Sequence, residues 1–119
     1  MFDKLRQLLE KLSDIFDTVT VDDDKALQKE NTATLFVDEI VPEYLTFQRK
    51  RYTGKFFLLF SLKGSGMDVY DSADQKISEI ENICDEVFSE YSFTSFHFSY
   101  VTNFSRLFVM MEITTRWEQ

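Results

Sequence analysis

The chain has few of the residues that interrupt or cross-link a fold. Among its 119 residues there are one cysteine, one proline and three glycines. The single thiol, Cys84, cannot form an internal disulfide or a zinc site made of several cysteines. The scarcity of glycine and proline leaves few tight turns and favours long, regular elements. We therefore expect a reducing setting and a fold of long helices and strands.

Long apolar runs and histidine are also scarce. No stretch approaches about 18 uncharged apolar residues, and the opening segment MFDKLRQLLEKLSDIF carries charges throughout. The sequence thus predicts no membrane partner and no signal peptide. His97 is the only histidine, and it lies mid-strand with no acid in register. We expect no enzyme activity, no catalytic residue and no cofactor, although the strand face around His97 is the alternative site for an enzyme or small ligand.

The net charge of -8 is unevenly distributed. Residues 1–43 hold eleven acids and five bases, residues 44–63 hold five bases and no acid, and residues 64–119 hold ten acids and three bases. The chain is an acidic body with one basic band, defined here as Arg49, Lys50, Arg51 and Lys55. Overall negative charge opposes non-specific binding to nucleic acid or anionic lipid.

Apolar periodicity predicts two helices and five strands. Apolar residues at helical spacing between Phe2 and Phe16 indicate an amphipathic helix. A capping box at Ser72-x-x-Gln75, after a breaker at 63–72, predicts a second helix ending near Ser89. The predicted strands are 18–21, 33–41 ending before Pro42, the second half of 44–62, 93–101 and 106–117, and the charged stretch 22–32 is predicted to be a solvated loop.

This order, α-β-β-β-α-β-β, predicts one α+β domain spanning 1–119. Short links favour a mostly antiparallel sheet of four to five strands, with both helices on one face. The first half of 44–62, which carries the basic band, is expected to project as a long hairpin with the segment near 41–47. The other sheet face mixes polar and apolar side chains: Thr53, Lys55, Ser61, Ser95, His97, Ser99, Phe57 and Leu59.

No cluster has the spacing of a metal or catalytic site. Asp22, Asp23 and Asp24 lack the alternating acids, the central glycine and the distal glutamate of an EF-hand loop. Gly64-Ser65-Gly66 does not continue as a phosphate-binding loop and is explained as a turn before a helix. Cys84 lies on the apolar stripe of the second helix, which favours a buried structural thiol.

The basic band has three interpretations. A nucleic-acid site would have a small phosphate footprint on an acidic domain, and we expect no sequence-specific nucleic-acid binding. A solvated hairpin would only protect a sheet edge. The charge pattern favours the third, a contact with an acidic surface on another copy or protein. That surface is either Asp22 to Asp24 or the side of the second helix with Glu79, Asp85 and Glu86.

The chain resembles the tail-terminator, or tail-completion, proteins of long-tailed bacteriophages. The resemblance extends from MFDKLRQLLEKL through RYTGKFFLLFSL and ISEIENICDEVF to FHFSYV and RLFVMMEITTRW. It lies in element order and length, since the family has no catalytic or site motif to transfer. Related neck and head-completion proteins share this pattern.

The resemblance implies a non-enzymatic protein that forms a six-fold ring on the head-proximal end of the tail tube. Such a ring stops tube polymerisation and presents a docking surface for the head. The implied partners are other copies of the chain, the tail-tube protein and a head-completion or connector protein. The implied location is the host cytoplasm during assembly and then the virion. The alternatives are another neck protein and a monomeric adaptor or inhibitor.

Overall fold

The protein folds as helices packed on one five-stranded sheet, which confirms the α+β class. The computed structural model describes residues 1–118 and extends 54 × 24 × 23 Å. Its elements are α1 (Asp3–Leu12), β1 (Thr18–Val21), α2 (Lys25–Gln28), β2 (Thr32–Tyr44), β3 (Lys50–Lys63), α3 (Gly66–Val87), β4 (Glu90–Val101), a 3-10 turn (Thr102–Phe104) and β5 (Arg106–Glu118).

The strand order across the sheet is β1-β2-β3-β5-β4. β1 is parallel to β2, and the other neighbours are antiparallel. The connection β3–α3–β4 skips one position, and β5 fills the gap between β3 and β4. Because β3 and β5 pair along their whole lengths, they form the rigid centre of the sheet.

The core lies between the sheet and the two long helices. Alternate residues of the central strands point toward the helices, as the period-2 pattern predicts. Each large apolar side chain buried there contributes roughly 1.5–3 kcal/mol. Fully buried members include Phe56, Leu58, Phe60, Val109, Met111, Ile113, Leu8, Leu12, Ile80 and Cys84. Burial raises the pKa of the Cys84 thiol to about 12, which fits a structural thiol.

α3 begins earlier than the capping-box pattern predicts. Gly64 and Gly66 have positive φ angles of 147° and 64°, so the chain reverses within three residues and the helix begins at Gly66. Ser72 lies inside the helix, where its hydroxyl donates to the Asp68 carbonyl at 3.0 Å. The prediction of a helix start at Ser72 is wrong because the glycines complete the turn before it.

The stretch 22–32 is not a solvated loop. It contains α2, whose Ala26 is fully buried on the sheet face opposite the long helices. The Ser61 hydroxyl donates to the Ala26 carbonyl at 3.1 Å, and the Arg106 guanidinium donates to the carbonyls of Ala26 and Leu27, both at 3.1 Å. The apolar pattern missed this element because strand polar groups, rather than an apolar stripe, hold it in place.

β2 passes through Pro42 and ends at Tyr44, beyond the predicted end. β1 covers β2 only from Thr32 to Leu35, so Pro42 lies at the edge of the sheet. A proline there leaves no ladder donor missing. The predicted hairpin is therefore present, and β5 supports β3 along it as far as the pair Arg51–Glu118.

Candidate interaction surface

The turn between β2 and β3 presents an exposed aromatic side chain. We define the hairpin tip as residues 44–50. The Thr46 hydroxyl accepts from the backbone N–H groups of Gln48 and Arg49, at 3.3 and 3.1 Å, and the Leu45 N–H donates to the Arg49 carbonyl at 3.0 Å. These bonds order the turn. Phe47 is fully exposed and Tyr44 is 70% exposed.

Three cations of the basic band contact acids on β5. Arg49 and Arg51 both bind the Glu118 carboxylate, at 2.6 and 3.2 Å, and Lys55 binds Glu112 at 3.3 Å. The charge count by segment did not show this pairing, because the acids lie more than fifty residues further along the chain. Glu112 and Glu118, on the polar face of the last strand, were the signal that could have revealed it.

Lys50 differs from the other cations of the band. Its ammonium lies 5.4 Å from the centroid of the Tyr44 ring. No carboxylate among residues 1–118 lies within 4.0 Å of it. The hairpin tip thus combines two exposed aromatic rings with a cation that can still form an ion pair. Tyrosine and phenylalanine are enriched in the cores of protein interfaces.

The paired arginines also change the acidity of their partner. Hydrogen bonds from Arg49 and then Arg51 hold the pKa of the Glu118 carboxyl below its usual value. The three groups are solvent-exposed, so the interaction orders the base of the hairpin more than it stabilises the fold.

The three consecutive aspartates form a turn between β1 and α2. Asp23 accepts hydrogen bonds from the Lys25 backbone N–H at 2.9 Å and the Thr20 hydroxyl at 2.7 Å, which lower the pKa of its carboxyl. Asp22 has a φ of 54°, and Asp24 is exposed. Within residues 1–118, no group of three His, Cys, Asp or Glu side chains is placed to hold a metal.

His97 is exposed on β4, opposite Met110. Ser95 is the neighbouring residue on the same face of β4, and it pairs with Glu112 of β5. The Glu112 carboxylate accepts a hydrogen bond from the Ser95 hydroxyl at 3.3 Å and binds Lys55. The structure therefore brings no free acid to this histidine, and the strand face contains no assembled catalytic pair within the described chain.

A second surface was not singled out in the sequence. It lies between α3 and the edge strand β4, and we call it the β4 groove, lined by Met67, Tyr70, Phe96 and Phe98. The Tyr70 and Phe98 rings lie 6.1 Å apart. Met67 is 72% exposed and Phe98 is 47% exposed. The alternating phenylalanines of the strand predicted at 93–101 were the available signal.

Between Met1 and Glu118, no helix combines the length and apolarity needed to cross a membrane. No protein-family model matches the chain, and a search of curated proteins finds no match.

Proposed function

We propose that the chain is a non-enzymatic assembly protein that forms a ring at the head-proximal end of a phage tail tube. The ring ends tube polymerisation and provides the surface on which the head docks. The observation that carries this proposal is the hairpin tip, where Phe47, Tyr44 and Lys50 are exposed at one end of an elongated molecule. The resemblance in element order supplies the phage context.

The chemistry of the tip favours a protein partner over a nucleic acid. A phosphate backbone is bound by several unpaired cations. Here Glu118 binds Arg49 and Arg51, and Lys55 is bound to Glu112. An exposed phenylalanine beside Lys50, which has no carboxylate within 4.0 Å among residues 1–118, instead suits a desolvated pocket with an acidic rim.

The location of the tip favours ring formation over a two-fold dimer. A projection at one end of an elongated subunit meets a different patch on its neighbour, which makes a heterologous contact. Such contacts close into rings when the rotation between subunits permits. In the proposed setting the subunits assemble in the host cytoplasm, remain in the virion neck, and contact the tail-tube protein below and a head-completion protein above.

The test compares the wild-type protein with a triple variant, Arg49→Ser, Lys50→Ser and Arg51→Ser. Negative-stain microscopy and sedimentation velocity of concentrated protein should show rings for the wild type and monomers for the variant. Rising salt should weaken the wild-type rings, because exposed charge contacts are screened. The thermal unfolding midpoint should change little, since surface ion pairs contribute little stability.

A matched control replaces three exposed cations away from the tip, Arg6, Lys25 and Lys29, with serine. It removes the same charge and should still form rings. A wild-type protein that remains monomeric at high concentration, alone and with tail-tube protein, would favour the monomeric adaptor. Rings that bind head-completion protein but never cap a tube would favour a different neck position.

A further inference from the structure

Two groups of exposed aromatic side chains lie far apart along the sheet. One is the hairpin tip and the other is the β4 groove. Phe98 of β4 pairs with Val109 of β5, and Val109 pairs with Phe60 of β3. Phe60 lies ten residues from Lys50 along β3. That separation is roughly 33 Å at a strand rise of about 3.3 Å per residue. The tip therefore cannot reach the β4 groove of its own chain, whereas a second copy can.

The β4 groove has the apolar character of a contact surface. Met67, Tyr70, Phe96 and Phe98 are all exposed, and the ring pairs Tyr70–Phe98 and Phe93–Phe96 lie on the same face of β4 and form what we call the aromatic strip. Contiguous apolar patches with a polar border mark interaction sites on soluble proteins.

The border of the β4 groove has one sign of charge. On the 3.6-residue repeat of a helix, positions 67, 70, 71, 74, 78, 81 and 85 share one flank of α3. That flank faces β4, because Tyr70 contacts Phe98 and the Tyr91 hydroxyl bonds the Asp85 carboxylate at 2.5 Å. The charged residues on this flank are all acidic: Asp71, Asp74, Glu81 and Asp85.

The β4 strand itself adds no positive charge. From Tyr91 to Val101 it contains no Lys, Arg, Asp or Glu. Long edge strands without charge or proline are open to pairing with other chains. The β4 groove therefore offers an apolar floor, an acidic side and an open strand edge.

We infer that the hairpin tip of one copy docks in the β4 groove of the next copy, with Phe47 on the aromatic strip and Lys50 against the acidic flank of α3. The inference rests on the proposed self-assembly and names the surface that receives the tip. On this inference the acidic flank of α3 is the partner surface in place of Asp22 to Asp24. Of the other candidate acids, Glu79, Asp85 and Glu86, only Asp85 lies on that flank.

Charge complementarity selects this occupant over a two-fold pairing of β4 with β4. A two-fold contact would bring the acidic flanks of two copies together, and like charges across an interface oppose binding. The hairpin tip has the complementary cation and an exposed ring. A head-to-tail contact of this kind uses both surfaces of every subunit and forms a closed ring where the rotation between subunits closes.

The first test is disulfide trapping between two singly labelled chains. Mixing Phe47→Cys protein with Met67→Cys protein under mild oxidation should give a crosslinked dimer at least tenfold faster than mixing it with Asp24→Cys protein. The native Cys84 does not interfere, because it is fully buried and burial raises the pKa of its thiol. Preferential crosslinking to position 24 would overturn the inference and place the tip on the three aspartates.

The second test reverses charges on both surfaces. Lys50→Glu alone, and Asp71→Lys with Asp74→Lys, should each weaken self-association about tenfold by sedimentation equilibrium. Mixing the two variants should restore association in head-to-tail pairs. The matched control reverses two acids elsewhere, Asp14→Lys with Asp24→Lys. This variant should associate as the wild type does.

The outcomes separate the inference from the proposed function. Wild-type rings that the groove variants leave unchanged would overturn the docking site while leaving ring assembly intact. A wild-type protein that forms no rings would contradict the proposed function itself. Circular dichroism of each variant verifies folding, and Met67→Ser, which changes no charge, should weaken association several-fold in the same direction.

Discussion

The two edges of the sheet are protected to different degrees. The β1–β2 edge is formed by the short strand β1 at one end, and a bulge near Asp38, the acids Glu39 and Glu43, and Pro42 disrupt it at the other. The β4 edge has one bulge, between Phe93 and Ser95, and no charged residue over the eleven positions from Tyr91 to Val101.

The difference indicates which edge is free to pair. Bulges, charges and proline are the usual means by which proteins block edge-to-edge association. All three occur on the β1–β2 edge. The β4 edge lacks two of them and has exposed aromatic side chains beside it, so it is the edge available to a partner.

The largest expected effect comes from removing the side chain that anchors α2 on β2 and β3. Arg106 is only 8% exposed, and its guanidinium binds Ala26, Leu27 and Ser61. Arg106→Ala removes a donor from each of these groups, although the Ala26 carbonyl keeps the Ser61 hydroxyl, and should lower the free energy of unfolding by about 3 kcal/mol in urea titrations. Hydrogen exchange of the β1 amides should also accelerate, because α2 is released from the sheet.

Arg106→Lys provides the control for charge. It keeps the cation but cannot reach two carbonyls in the planar geometry of a guanidinium, so an intermediate loss is expected. If the free energy of unfolding of Arg106→Ala protein lies within about 1 kcal/mol of the wild-type value, the arginine does not anchor α2.

An intermediate effect is expected from placing a charge on each edge in turn. Phe96→Lys on β4 should weaken self-association at least fivefold, measured by light scattering over a concentration series. Val41→Lys on β2 is the matched variant, since both side chains are partly exposed on edge strands, at 39% and 49%. It should leave association unchanged, because that edge is already blocked. Equal effects of the two variants would remove the distinction between the edges.

The residue pattern predicted those features of the two sheet edges that depend on local periodicity. The alternation in 93–101 placed Phe96 and Phe98 on one side of a strand, and the structure confirms that strand. It could not show that β4 is an edge, because this depends on β5 inserting between β3 and β4. Strand order is set by packing between distant segments, which periodicity does not record.

Two of the missed features share one physical cause. α2 is held by Ser61 and Arg106, which follow it by more than thirty residues, and Glu118 binds two arginines that precede it by more than sixty. Long-range polar contacts leave no periodic trace in either segment. The charge count therefore located the basic band correctly but overstated how much of its charge is available to a partner.

The smallest expected effect concerns the pairing at the base of the hairpin. Glu118 has its pKa lowered in the folded state, chiefly by the hydrogen bond from Arg49 and then by that from Arg51. A carboxyl whose pKa is lower in the folded state than in the unfolded state stabilises the fold at pH values above its unfolded-state pKa, which is near the ordinary value of 4.5. That contribution is lost as the pH falls through the folded-state pKa. Glu118→Gln should therefore lower the unfolding midpoint slightly at pH 7, and the difference from the wild type should shrink at acid pH.

The same substitution frees Arg49 and Arg51, so at pH 7 and low salt it should strengthen association with an acidic partner surface. Weaker association of Glu118→Gln protein, with the fold intact by circular dichroism, would mean that the ordered hairpin base matters more to the contact than its free charge.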